Sequence, residues 1–222
     1  MRANLTPLVN LDFLDGYLFR LLQEISADQG PEASGFFNYY QSRLDRRVGG
    51  LVEYEGSLAR YLLSGFKDRR IVHAGIGIGT FASVLACNGM KVTGVESLKS
   101  RVQSALRIRA ALSGIWPEVD SRYEIVEGFY PDALAGRDCF GQDVILVFTN
   151  VGAGWDETAL LSIIESMARF GEVFLDLRLF GSIREQESDR VALFDRIAAT
   201  ARWAERLPHV SLGSHLARFV FV

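Results

Sequence analysis

Gly75, Gly77 and Gly79 stand at alternate positions in the run Val72-His73-Ala74-Gly75-Ile76-Gly77-Ile78-Gly79, and a carboxylate, Glu96, follows 17 residues after the last of them. Glycines allow a tight turn and close approach of a ligand to the backbone. A helix opening behind such a loop offers N–H groups and a positive dipole end to an anionic or polar ligand. Glu96 closes an apolar stretch, where a carboxylate can accept hydrogen bonds from both hydroxyls of a ribose. Loop and acid together point to an adenosine-type ligand. The spacing is G-x-G-x-G, because Thr80 occupies the third-glycine place of the dinucleotide fingerprint G-x-G-x-x-G.

The elements around these residues must deliver the loop to the end of a strand. Arg70–Ala74 reads as a short strand entering the loop, and 80–88 as a helix closed by Gly89 in the left-handed conformation. Strands are expected at 91–96, 123–127, 143–148 and 172–179. Between them, Ser97 can cap a helix over 98–112, and Asp156 can cap one carrying Leu160, Leu161, Ile164 and Met167. A helix with Val191, Phe194 and Ile197 comes next. The last two strand candidates, 204–210 and 215–222, are separated only by Ser211-Leu212-Gly213-Ser214. That gap is too short for a parallel crossover, so they should form an antiparallel hairpin. Strands alternating with helices imply an α/β fold, doubly wound around a mostly parallel, seven-stranded sheet with right-handed crossovers. Ligands bind such sheets at the carboxyl ends of the strands.

Residues 1–69 read as a helical extension, a lid or a dimer contact, ahead of a domain over 70–222. Leu11, Leu14, Leu18, Leu21, Leu22 and Ile25 fall on one helical stripe. A break at 28–35 precedes a second helix with Phe36, Phe37, Tyr40, Leu44 and Val48 on one face, ended by Gly49 and Gly50. A third carries Leu51, Tyr54, Leu58, Tyr61 and Leu62.

The composition excludes several classes. Hydrophobic residues are 49% and charged residues 23%, a globular balance that argues against disorder. The net charge of -3, with acids and bases mixed, lacks the basic footprint of a nucleic-acid binder. Arg43, Arg46 and Arg47 form the tightest cluster, either a solvated helix face or a contact for an anionic substrate. Cys87 and Cys139 have no metal-ligand spacing and suggest no disulfide scaffold, which fits a reducing compartment. Asp12 and Asp15 interrupt any signal-like apolar run, and no stretch approaches the roughly 20 apolar residues of a membrane span. The expected location is the cytoplasm, and no metal site is expected.

The glycine run, followed by Gly94-Val95-Glu96, resembles the class I S-adenosylmethionine-dependent methyltransferases, which have a Rossmann-like sheet. The resemblance covers roughly residues 70–222 and includes the terminal hairpin. It implies that Gly75, Gly77 and Gly79 border the methionine part of S-adenosylmethionine and that Glu96 holds its ribose. Ser97 and Leu98 would lie beside the adenine, with Gly128 and Phe129 on its other face. Thr149 and Asn150 would lie near the reacting methyl. The chain departs from the pattern twice. His73 stands where the family usually has an acid near the cofactor's ammonium, and Phe129 stands where it often has an Asp bonding the adenine amine. A neutral imidazole can accept one hydrogen bond, and a phenyl ring can stack.

The implied reaction is methyl transfer to a small-molecule acceptor. Alternatives are a relative that moves another part of the cofactor or only binds it, and a nicotinamide-dependent oxidoreductase. Thr149-Asn150-Val151-Gly152 lacks the Asn/Asp-Pro-Pro-aromatic signature of the amide- and adenine-directed members. Phe36, Phe37, Tyr39, Tyr40 and Trp155 are candidates for the walls of the acceptor pocket. Glu53, Glu55, Asp156 and His209 are candidate bases, and Asn38 and Arg178 candidate polar contacts.

Overall fold

The computed structural model describes residues 10–29, 53–149, 156–177, 187–210 and 215–221. Strand β1 (Arg70–Ala74) lies at the centre of the sheet, and its residues beyond Arg70 are all buried. Successive side chains of a strand point to opposite faces, so Ile71 enters the core on one side of the sheet and Val72 the core on the other. The neighbours of β1 are β2 (Lys91–Glu96) and β4 (Gly141–Phe148), both parallel to it. β3 (Tyr123–Glu127) flanks β2, and β5 (Phe170–Asp176) flanks β4. The chain then reverses: β7 (Leu216–Val220) runs antiparallel to β5, and β6 (Trp203–Arg206) antiparallel to β7. The order β3-β2-β1-β4-β5-β7-β6 is the seven-stranded, mostly parallel sheet with a terminal hairpin that the sequence implies.

Seven α-helices lie among the described residues. α1 (Leu11–Gln29) and α2 (Glu53–Gly65) precede the sheet. α3 (Thr80–Cys87), α4 (Lys99–Ser113), the short α5 (Glu118–Arg122), α6 (Glu157–Met167) and α7 (Glu187–Ala198) connect the strands. Every residue of α3 is buried, because this helix is covered on both sides. One face meets the sheet. Over the other lie α1 and α2, whose Leu14, Leu18, Leu22, Ile25, Leu58, Ala59 and Leu62 join Phe81, Leu85 and Ala86 in one cluster. The periodic leucines of α1 are therefore a packing face. A second cluster, with Val72, Leu146, Val173, Ile163 and Phe219, fills the opposite side of the sheet.

Several boundaries differ from the sequence reading. β4 starts at Gly141, two residues early, and β5 spans Phe170–Asp176 instead of 172–179. Gly171 lies inside β5, where a Cβ would collide with the Gln142 carbonyl oxygen. β6 is shorter than expected and ends at Arg206. Ser97 does not cap α4: the helix begins at Lys99 with Leu98 as its N-cap residue and no side-chain cap. Asp156 does cap α6, its Oδ1 accepting from Ala159 N at 2.8 Å. The expected second helix, over 36–48, lies outside the described residues.

Candidate functional site

The glycine loop is clamped onto the end of β2. Gly75 N and Ile76 N both donate to the Val95 carbonyl, at 2.8 and 3.0 Å, and Gly79 N donates to the Ile76 carbonyl at 2.9 Å. Gly75, Gly77 and Gly79 have φ of 70°, 59° and 81°, a region that L side chains disfavour. Beneath the loop, Tyr123 reaches up from the start of β3. A Cβ on Gly79 would collide with its hydroxyl, and one on Gly94 would lie 2.7 Å from Ile76 Cγ2 and 3.2 Å from Tyr123 Cε2. Gly94 thus makes room for the ring that supports the loop. Sequence reasoning missed Tyr123; the isolated glycine inside β2 was the available signal for a close approach.

Glu96 is 4% exposed and ties the loop to the next helix. Its Oε2 accepts from Gly77 N at 2.9 Å and its Oε1 from Leu98 N at 3.0 Å. Each carboxylate oxygen has a second lone pair, so two acceptor positions remain for a ligand. At the strand ends, Glu96 pairs with Glu127 across β2 and β3, which sets Leu98 and Phe129 at matching positions on adjacent loops. Both are exposed apolar side chains, Leu98 by 49% and Phe129 by 73%. The Phe129 loop is held from behind: Gly128 N donates to the Glu96 carbonyl at 2.9 Å, and the Tyr130 hydroxyl bonds Ser166 Oγ at 2.7 Å. Two apolar side chains held in water on anchored loops suit a flat, apolar ring.

His73 lies two residues before the loop and is 1% exposed. Its Nε2 bonds Thr149 Oγ1 at 2.9 Å, and its ring meets Phe81 edge-on at 5.1 Å. Nδ1 finds no hydrogen-bond partner among the described residues. Burial pushes the imidazole from 6.5 down to about 3, so it is neutral at ordinary pH and presents no positive charge. Between these two values the unfolded chain carries a proton that the folded chain does not. Stability therefore falls as pH drops through that window, by up to about 1.4 kcal/mol per pH unit. Above 6.5 both states are neutral and the group adds no pH dependence. His73→Asn should lose less stability than the parent between about pH 7 and about pH 4, measured by urea unfolding. An equal loss in both proteins would place the proton on folded His73 as well.

The structure thus brings His73, Gly75, Gly77, Gly79, Glu96, Ser97, Leu98, Gly128, Phe129 and Thr149 to the carboxyl ends of β1 to β4. Asn150, Tyr39, Tyr40 and Trp155 lie outside the described residues, as do Phe36, Phe37, Asn38 and Arg178. Of the candidate bases, Asp156 is occupied as a helix cap. His209 is exposed, its ring 6.2 Å from Tyr61 of α2. Glu55 is buried on α2, and Glu53 opens that helix. Among the described residues no group of three or more His, Cys, Asp or Glu could hold a metal ion, and no helix is long and apolar enough to cross a membrane.

No family model and no curated protein matches this chain. Solved structures do. The methyltransferase domain of bacterial CtHen1 superposes with a TM-score of 0.57 at 14% identity, over 76% of this chain and 97% of that one. A candidate O-methyltransferase from Klebsiella pneumoniae gives 0.58 at 13% identity, over 97% of this chain and 93% of that one. At such identities the likeness is one of fold, and it agrees with the strand order and the reversed final hairpin described above. The chain has the fold of the class I S-adenosylmethionine-dependent methyltransferases.

Proposed function

We propose that this protein binds S-adenosylmethionine in the groove above β1, β2 and β3 and directs its methyl group to a small-molecule acceptor. The observation that carries the reading is Glu96, whose carboxylate joins the glycine loop to the Leu98 turn beside two exposed apolar side chains. That set fits the adenosine half of the cofactor: a carboxylate for the ribose hydroxyls and apolar surfaces for the adenine. When bound, the cofactor supplies a sulfonium-activated methyl group. The chain's part is alignment and exclusion of water, which suffice for an in-line displacement at carbon. Thr149, fixed by His73, closes β4 beside the loop. The mixed surface charge supports a small acceptor over a nucleic acid, and the free thiols Cys87 and Cys139 support a reducing, cytoplasmic setting.

Incubation with a whole-cell extract and cofactor labelled separately in its methyl and carboxypropyl groups tests this. Methyl label should enter a compound of low molecular mass. Transfer of the carboxypropyl label instead would make the protein a non-methylating relative, and label in RNA or protein would overturn the small-acceptor assignment.

Phe129→Ala should weaken S-adenosylhomocysteine binding by about tenfold, the worth of stacking a base on an aromatic ring. Because the ring is 73% exposed, stability should stay within about 0.5 kcal/mol of the parent. Calorimetric titration and thermal unfolding check the two halves of that expectation.

A further inference from the structure

The amino-terminal edge of the sheet carries a row of cations. The parallel register sets Arg70 of β1 beside Lys91 of β2. On the other side of β2, Val92 pairs with Tyr123, so Arg122, one residue earlier, comes level with Lys91. Neighbouring strands lie about 4.8 Å apart, and like charges directly opposite one another destabilise a sheet. All three residues line one cavity of about 180 Å³. We propose that this cavity binds the phosphoryl group of a small molecule, at a site separate from the glycine loop.

The fold leaves room for such a ligand. Val72, Cys139 and Val144, which also line the cavity, belong to the cluster on the sheet face away from α3. Along the strands, Arg70 shares that face with Val72, and Lys91 shares it with Thr93. The β3–β4 connection crosses this face with a single 3-10 turn, Asp132–Leu134, in place of a helix. α6 and α7 pack farther along, on β5 and β7. The foot of β1, β2 and β3 therefore stays open. The glycine loop is at the other end of β1, about 16 Å up the strand, so a ligand at the foot is held independently of one in the groove above the loop.

The charge in the cavity favours an anion. Its acids are already matched: Glu124 pairs with Arg137, and Asp138 with Arg70 at 3.8 Å. Arg70 is further held by Asp143 at 3.0 Å. Lys91 and Arg122 have no ion-pair partner among the described residues. Thr93, half-buried on the cavity wall, offers a hydroxyl that makes no hydrogen bond among those residues. Two unmatched cations and a free hydroxyl suit a phosphoryl group, which carries nearly two negative charges and three strong acceptor oxygens. A carboxylate, with one charge, would leave one cation unmatched. A volume of about 180 Å³ is below the roughly 300–1,000 Å³ of sites for drug-sized ligands, which limits the occupant to phosphate or a short phosphate monoester.

Calorimetric titrations of the full chain, in chloride buffer at constant ionic strength, compare inorganic phosphate, glycerol 3-phosphate and uncharged glycerol. The two phosphates should give saturable heat and glycerol none. The tighter of the two identifies free phosphate or a monoester as the occupant. Lys91→Gln and Arg122→Gln should each weaken it by about tenfold or more, the worth of a hydrogen bond to a charged group. Thr93→Val should weaken it by about two- to tenfold. Arg20→Gln, which removes an exposed cation of α1, should change nothing. Lys91 is exposed, so its variant should fold whatever the effect of Arg122→Gln on stability. No saturable heat with either phosphate, equal affinity for glycerol, unchanged affinity in Lys91→Gln, or equal weakening by Arg20→Gln would overturn the proposal.

Discussion

Glu96→Ala is expected to weaken S-adenosylhomocysteine binding by about a hundredfold or more and to lower the stability of the ligand-free fold by about 2 kcal/mol. Two effects combine. The carboxylate accepts Gly77 N and Leu98 N, and its removal leaves two N–H groups without their partner where the loop is packed. On the proposed reading it also removes the acceptor for the ribose hydroxyls, each such bond to a charged group being worth about 1.5–3 kcal/mol. Glu96→Gln should fall only slightly short of this, because its amide turns a donor toward one of the same two N–H groups. Titration calorimetry and urea unfolding separate affinity from stability. A substitution that lowered stability while leaving affinity intact would reduce Glu96 to a structural clamp.

The second large effect is expected at Gly79. Gly79→Ala should destabilise the fold by about 3 kcal/mol. Part is the left-handed φ of 81°, which costs an L residue about 1–2 kcal/mol. The rest is the clash of the new methyl with the Tyr123 hydroxyl, with Ala105 Cβ also close at 3.2 Å. Tyr123→Phe isolates the two parts. The hydroxyl has no hydrogen-bond partner among the described residues, so its removal alone should cost little or stabilise. In the double variant the nearest ring atom is Cζ, at 3.5 Å, and the loss should shrink towards the backbone part. A double-mutant cycle measured by urea unfolding gives the coupling directly. Strict additivity would show that the loop does not rest on Tyr123.

Much of this was legible along the chain. β1, β2 and β3 match their expected spans because each is a short apolar run bounded by turn residues. The hairpin followed from the short connection before His215, and Glu96 from its place at a strand end. What stayed hidden depends on residues distant in sequence. The sequence starts β5 at 172, whereas the strand begins at Phe170 and Gly171 lies against the Gln142 carbonyl. His73 reads as a poor substitute for an acid until Thr149, 76 residues later, is seen to hold it and burial to keep it neutral. Ser97 looks like a cap, yet Glu96 takes the N–H that precedes the helix. Spacing reveals a loop and its partner acid; it does not reveal which side chains a third element closes over them.

We propose that the glycine loop and Glu96 hold an adenosine ligand of the S-adenosylmethionine type, and the rest of the proposed function depends on that ligand. The most direct test is calorimetric titration of the parent protein with S-adenosylhomocysteine and, separately, with NAD. Saturable heat with S-adenosylhomocysteine and none with NAD is the expected result. Saturable heat with NAD alone, or with neither, would contradict the assignment.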